Sequence, residues 1–346
     1  MIPRFHPRFK LNGRPVSSVH GLVEMLRPAY PGHAAFVEEW LSDHPRITLH
    51  TSGSTGKPKA LVFAKEKLLR HAERTISYFD LPPGSKVLLN LQSSYVAGKM
   101  MWVRALAGGW DLHIIPSRGR LELPAGPPFD FGAMVPYQIY HNPAVKDRFR
   151  QLILGGAPVD PGFVETVRDW PVALYLTYGM TETLTHVAVR PLNPAAMRRH
   201  ELSAPDLYHA LPGVSFSVYG ENLLTVRDRL TDIGPLQTGD VVDLKDAHSF
   251  RWLGRADNVI NSGGHKIIPE TVESRLRPYI SRDFYLTSRP HSLWGEQAVL
   301  VIEGRPYKED WDRLYDRAGL HPYERPKQIL FMPTFERTNS GKIIRK

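Results

Sequence analysis

Apolar and polar positions change rhythm along this chain, and the changes divide it. From about residue 47 to 190, short apolar runs alternate with stretches of helical period. Arg46-Ile47-Thr48-Leu49-His50 alternates as a short strand and leads into a loop of Gly, Ser and Thr. Over residues 65–79, Leu68, Leu69, Ala72, Ile76 and Phe79 recur on one helical face. A strand is expected over Lys86–Leu91, a helix over Gly98–Ala107 and a strand over Leu112–Ile115. The apolar runs Leu152–Leu154 and Val172–Leu176 suit buried strands, with a helix over Phe163–Trp170 between them. This alternation predicts an α/β domain with a largely parallel sheet.

From residue 211 to 253 the pattern turns to short strands, such as Phe216-Ser217-Val218 and Leu223–Val226. Beyond Arg255 a compact segment follows, with helices over Pro269–Leu276 and Lys308–Ala318. Its strands are expected at Phe284–Thr287, Ala298–Ile302 and Ile329–Met332. Pro269 followed by Glu270 suits a helix N-terminus. The expected boundary near residues 254–257 gives a large first domain (1–254) and a small α+β second domain (255–346).

Composition narrows the chemistry. The 346 residues contain no cysteine, which excludes disulfides, thiolate catalysis and cysteine-ligated zinc. No stretch approaches the roughly 18 apolar residues of a membrane helix. The first residues lack the apolar core of a signal peptide, so a cytoplasmic location is expected. The net charge of +9 comes from scattered basic residues with no aromatic-interleaved stripe. A small polyanion explains that excess without nucleic acid.

Five segments carry candidate chemistry. In Thr51-Ser52-Gly53-Ser54-Thr55-Gly56-Lys57-Pro58-Lys59, glycines let backbone amides approach an anion, hydroxyls donate and lysines neutralise charge. It is not a Walker loop: the glycine spacing is too short, and Pro58 stands where a magnesium-binding hydroxyl would be. That disfavours a P-loop phosphotransferase. The second segment, Tyr175 to Thr183, follows an apolar strand, and ligands bind at the carboxyl ends of parallel strands. There Tyr178 could stack a base, Thr181 could donate to phosphate and Glu182 could hold Mg²⁺. Third is Thr238-Gly239-Asp240, whose carboxylate could accept ribose hydroxyls. Fourth is Gly254 to Ile267, where Arg255 and Asp257 precede Gly263-Gly264 in a pattern suited to a hinge. Last is the basic tail, Arg337 to Lys346, a composition that by itself is usually solvated.

In this order the five segments resemble the adenylate-forming superfamily of acyl- and aryl-CoA synthetases, luciferases and peptide-synthetase adenylation domains. The similarity covers roughly residue 47 to the end. It implies that Thr51 to Lys59 hold the β- and γ-phosphates of ATP. Tyr178-Gly179-Met180-Thr181-Glu182 would stack adenine, touch the α-phosphate and place Mg²⁺. Gly155-Gly156-Ala157-Pro158 would lie beside the adenine and acyl pocket, Asp240 and Arg255 would bind ribose, and Asp257 matches the hinge. Lys342 matches the catalytic lysine of the small domain, and the loop at Gly263-Gly264 would face a channel for coenzyme A. The implied substrates are a small carboxylic acid, ATP and coenzyme A.

The chain departs from the family in the short stretch ahead of Thr51. This implies a shortened N-terminal subdomain, with closure of the acyl pocket by a second subunit as one consequence. His265 is expected to be an exposed polar residue with no catalytic role.

The segments Tyr95 to Arg104 and Thr181 to Ala188 look like those of compact 2-succinylbenzoate–CoA ligases of menaquinone synthesis. Their substrate carries two carboxylates, one of which must remain unreacted. Lys99, Arg104 or His186 could hold that group, with Tyr95, Met100 and the Gly155-Gly156 backbone lining the apolar part. Two alternatives remain: an aryl-acid activating enzyme that loads a carrier protein, and a non-catalytic nucleotide-binding regulatory protein. Retention of Glu182, Asp240, Arg255 and Lys342 together speaks against the second.

Overall fold

The computed structural model describes residues 5–50, 60–202, 204–337 and 343–345. Contacts divide the chain into two compact units. The first holds residues 1–158, 168–215 and 227–235; the second holds 159–167, 216–226 and 236–346.

The first unit is built on the parallel sheet that the alternation predicts. Its strands run in the order Asp111–Ile114, Lys86–Leu89, Phe131–Met134, Gln151–Leu154, Ala173–Gly179. All four of these pairings are parallel. His186–Pro191 then returns antiparallel to Ala173–Gly179. Such strands are covered on both faces, which is why they read as unbroken apolar runs rather than alternation. Leu152, Leu154, Leu174 and Tyr175 are fully or almost fully buried.

Two helices frame the site in this unit. Lys65–Tyr78 is built from strong helix formers, with Glu66 in its first turn and a Glu66–Arg70 pair at 2.6 Å. It buries Leu68 and Ala72 as the periodicity requires, but also His71, Arg74 and Thr75. Val96–Gly108 is apolar almost all round, and Met100, Met101, Trp102 and Val103 are completely inaccessible. A helix of that composition belongs inside the fold. Each such side chain contributes about 1.5–3 kcal/mol relative to exposure. The helix can start where it does because residue 98 is glycine. A Cβ there would come within 2.1 Å of the Gln92 carbonyl oxygen.

The hairpin Arg46–His50 with Ala60–Ala64 pairs antiparallel, His50 opposite Ala60. The return strand has no clear counterpart in the sequence pattern. Thr51 to Lys59, between these strands, lie outside the described residues.

The strands Leu223–Asp228, Ile233–Asp246 and Ser249–Arg255, most of whose residues belong to the second unit, are neighbours in one sheet. A smaller five-stranded sheet is covered by the helices Pro269–Leu276 and Trp311–Arg317. Val272, Leu276, Phe284, Leu286, Leu300, Ile302 and Leu314 form its core. Because this unit includes strands before residue 255, compactness alone does not place a boundary at residues 254–257. The helix expected over Phe163–Trp170 is instead Pro161–Thr166, since Asp160 caps the Phe163 amide at 3.0 Å with Pro161 in the first turn. Among the described residues, no helix is long and apolar enough to cross a membrane.

Candidate active site

In the first unit, the candidate residues gather at the carboxyl ends of two adjacent strands. Gln151–Leu154 ends at Gly155-Gly156, and Thr177 Oγ1 donates to the Leu154 carbonyl at 2.8 Å. Ala157 follows half-buried. The neighbouring strand is buried through Leu176, half-buried at Thr177 and Tyr178, and exposed at Gly179. The Tyr178 ring meets Tyr208 edge-on at 5.8 Å.

The chain then folds back tightly. A Cβ on residue 179 would lie 2.3 Å from the Thr185 carbonyl oxygen and 2.6 Å from His186 Cα, so only glycine fits. The turn is stitched by Thr183, whose fully buried hydroxyl accepts from the Met180 amide at 2.9 Å. That hydroxyl also lies 2.8 Å from the Thr185 carbonyl. The folding-back leaves Thr181 half-buried and Glu182 exposed at the tip.

A buried polar network lies behind this turn. Arg104 reaches from the central helix to Thr185 Oγ1 at 2.7 Å, and His186 Nδ1 lies 3.4 Å from the same nitrogen. On the neighbouring helix Arg74 binds Asp228 at 2.8 Å and His71 Nδ1 at 2.7 Å. Burial, then the charge of Arg74, pulls Arg104 down to about 9, so it remains a cation at neutral pH. Burial first, then Arg104, Arg74 and His71, hold His186 far below the ordinary histidine value. His186 is therefore neutral and can accept from Arg104. Among the described residues the hydrogen-bond partners of Arg104 are Met101, Thr185 and His186, none of them acidic.

The other acyl-site candidates go separate ways. Lys99 Nζ donates to the Thr48 carbonyl at 3.2 Å and sits over the Phe36 ring. Tyr95 is exposed at the start of the helix, and Met100 is fully buried. The structure thus joins Arg104 to His186 but not to Lys99.

In the second unit, Asp240 and Arg255 are cross-strand partners, with Arg255 Nη1 3.5 Å from Asp240 Oδ1. Trp252 Nε1 donates to the same carboxylate oxygen at 3.0 Å. Thr238 Oγ1 accepts from the Asp240 amide at 3.1 Å and donates to the Leu224 carbonyl at 2.9 Å. Arg255 also reaches Asp257 at 3.2 Å. Burial works against the Arg255 charge, but Asp240 and Asp257 outweigh it and raise its pKa. Asp257 itself is largely exposed. Gly263 and Gly264 form the turn between the paired strands Ile260–Ser262 and His265–Ile267. His265 is exposed there and stacks on Tyr323 at 4.4 Å.

Lys342, like Thr51 to Lys59, lies outside the described residues. Trp252, Thr183, Thr185 and the His71–Arg74–Asp228 group escaped the sequence reading. The run of hydroxyls Thr181, Thr183, Thr185 was a usable signal for the turn. Trp252 had none, because its contact depends on cross-strand register.

The family model for AMP-binding enzymes matches residues 15–228. The chain belongs to the AMP-binding enzyme family. A solved AMP-binding enzyme relative, an acyl-CoA synthetase (AMP-forming)/AMP-acid ligase II-like protein from Dyadobacter fermentans, is 34% identical with a TM-score of 0.61. The similarity covers 93% of this chain and 95% of that one. A 2-succinylbenzoate–CoA ligase from Listeria monocytogenes is 23% identical over 331 residues, spanning 89% of this chain and 70% of the relative. The o-succinylbenzoate CoA synthetase of Bacillus subtilis, solved with its acyl-adenylate intermediate, shares the fold at a TM-score of 0.72 and 16% identity. That match covers 95% of this chain and 80% of the Bacillus subtilis chain.

The turn after Tyr178 offers one candidate ligand for Mg²⁺. Mg²⁺ typically takes one or two carboxylates and completes its shell with phosphate oxygens and water. Glu182, a single carboxylate at an exposed turn, meets that requirement. Among the described residues, no group of three or more His, Asp or Glu could hold a metal by itself.

Proposed function

We propose that this chain joins a carboxylic acid to ATP as an acyl-adenylate, releases pyrophosphate, and passes the acyl group to coenzyme A. The observation that carries this reading is the Asp240–Arg255 pair. A buried carboxylate oriented by Trp252, its own backbone amide held by Thr238, would accept from both ribose hydroxyls. Tyr178 would flank the adenine, with Gly155 and Gly156 leaving room for it, and Thr181 would donate to the α-phosphate. Glu182 would hold Mg²⁺, which when bound supplies positive charge at the phosphate oxygens.

Attack of one anion on another is opposed by repulsion, so catalysis needs cations aimed at the developing charge. The hydroxyls, amides and lysines of Thr51 to Lys59 would neutralise the leaving pyrophosphate. Lys342 would stabilise the pentavalent phosphorus centre. Residues 255–346 would then swing about Asp257, withdrawing Lys342 and bringing Gly263-Gly264 to the thiol of coenzyme A. Compact second-unit strands before residue 255 do not preclude this, since a hinge needs only a few residues to change backbone angles.

For the acid we propose 2-succinylbenzoate, the substrate named for several relatives at 22–24% identity. Arg104 and His186 would select its unreacted carboxylate, directly or through Thr185. A second copy of the chain is proposed to help close the acyl pocket. Transfer to a carrier protein instead of coenzyme A is the second reading. It is favoured by 27% identity, over 88% of this chain, to a probable non-canonical nonribosomal peptide synthetase of Salinispora arenicola. AMP release with ATP, Mg²⁺, coenzyme A and a panel of acids tests the proposal. Preference for 2-succinylbenzoate supports it, and turnover only of other acids discards that substrate while keeping the chemistry. Exchange of pyrophosphate with no use of free coenzyme A favours the carrier reading.

A further inference from the structure

The described residues of the basic tail, Arg337 and 343–345, are engaged rather than merely solvated. Arg345 reaches Glu273 with two nitrogens, at 2.7 Å to Oε1 and 2.8 Å to Oε2, and also donates to the Leu286 carbonyl at 3.1 Å. Glu273 in turn accepts from the Leu286 amide at 2.6 Å, so the pair is seated on the helix Pro269–Leu276 and the strand Phe284–His291 together. Glu270, one turn earlier, stands 3.6 Å from Arg345 and is hydrogen-bonded to Asn258, the residue after Asp257.

Six residues before Ile343, the chain is held a second time. Arg337 pairs with Asp283 at 2.7 Å and Glu303 at 2.9 Å, and Glu303 accepts from the Phe335 amide at 2.6 Å. Arg337 and Ile343 are antiparallel bridge partners, and the Ile344 amide donates to the Glu336 carbonyl at 2.9 Å. Ile343 packs against the cluster of Tyr285, Val299, Val301 and Phe335.

We propose that the Arg345–Glu273 pair is a positioning device for the adenylation half-reaction, fixing the chain immediately after Lys342. The inference rests on the role given to Lys342 above. A lysine at the end of a flexible stem delivers charge to a reaction centre only if its backbone is anchored. The planar fork of arginine against a carboxylate fixes orientation as well as distance, which a point charge does not. Seating both partners on the core helix and strand makes the anchor rigid. The link from Glu270 to Asn258 places the same anchor against the segment proposed to hinge.

The test uses the full-length protein and both half-reactions. Arg345→Met and Glu273→Gln are expected to slow acid-dependent pyrophosphate exchange by about ten- to a hundredfold, the scale of a misplacement near 1 Å. Thioester formation from pre-made acyl-adenylate should change less than about threefold, which also shows that the variants are folded. Arg345→Lys should recover only part of the exchange rate. Lys342→Ala is measured alongside. If it leaves exchange intact, the role of Lys342 fails and the inference with it. If Lys342→Ala abolishes exchange while Arg345→Met and Glu273→Gln do not, the positioning role alone is overturned. Equal losses in both half-reactions would make the pair merely structural and also overturn it.

Discussion

Asp240 and Arg255 face each other across an antiparallel strand pair, 3.5 Å apart, with Trp252 donating to the same carboxylate oxygen. Fifteen residues of sequence separate them, yet the register of Ile233–Asp246 against Ser249–Arg255 makes them one group. A bulge between Val241 and Val242 shifts the register so that Trp252 also reaches Asp240. An oriented, buried carboxylate is the chemistry a nucleoside needs.

Asp240→Ala is therefore expected to raise the KM for ATP by about ten- to a hundredfold, the worth of one or two hydrogen bonds to a charged group. The KM for the acid should move far less. Steady-state kinetics with each substrate varied checks this; an unchanged ATP KM would contradict the assignment.

Lys342→Ala should remove most adenylation yet spare thioester formation from pre-made acyl-adenylate. In the proposed mechanism the lysine stabilises charge only while phosphorus is being attacked, so its loss would belong to one half-reaction. Equal loss in both would refute its placement.

Arg104→Lys keeps a cation but loses the guanidinium nitrogen that reaches both Thr185 and His186. It should raise the KM for a dicarboxylic acid more than that for a monocarboxylic acid of similar size, leaving ATP KM nearly unchanged. Lys99→Met is the comparison. Its nitrogen is already engaged at the Thr48 carbonyl, so a smaller effect on acid KM is expected. If neither variant alters the acid KM, the second-carboxylate proposal is wrong.

Stability should depend on the buried histidines. Burial lowers His33 to about 4, and burial with Arg74, Arg104 and Lys67 lowers His71 to about 2; His186 is lowered as well. All three refuse protons in the fold but accept them near 6.5 once unfolded. Their contribution is thus complete above that value and is lost progressively as pH falls from there toward each folded value. The slope is about 1.4 kcal/mol per pH unit for each histidine. Urea midpoints should fall between about pH 7 and pH 5, and less steeply in His71→Gln, which keeps an acceptor for Arg74. A flat profile would contradict the burial of neutral histidines.

The sequence made the parallel sheet legible because strands covered on both faces leave apolar runs with little else to mean. Pro269–Leu276 was equally plain, with proline and glutamate at its start and Val272 and Leu276 at core spacing. The helix at Lys65–Tyr78 was legible only on its apolar face. His71, Arg74 and Thr75 are polar residues whose burial depends on Asp228, far away in sequence. The motif residues Tyr178, Thr181 and Glu182 could be proposed from the sequence because the chemistry they suggest is local. What holds them was not: Gly179 is required by the return of Thr185, and Arg104 meets Thr185 from a helix 81 positions earlier. The Arg345–Glu273 contact was hidden for the same reason, since Glu273 lies 72 positions before Arg345.

The most direct test is exchange of labelled pyrophosphate into ATP, with Mg²⁺ and 2-succinylbenzoate and without coenzyme A. The account predicts exchange that depends on the acid and disappears in Lys342→Ala. Exchange that proceeds without any acid, or no exchange with any acid offered, would contradict formation of an acyl-adenylate by this chain.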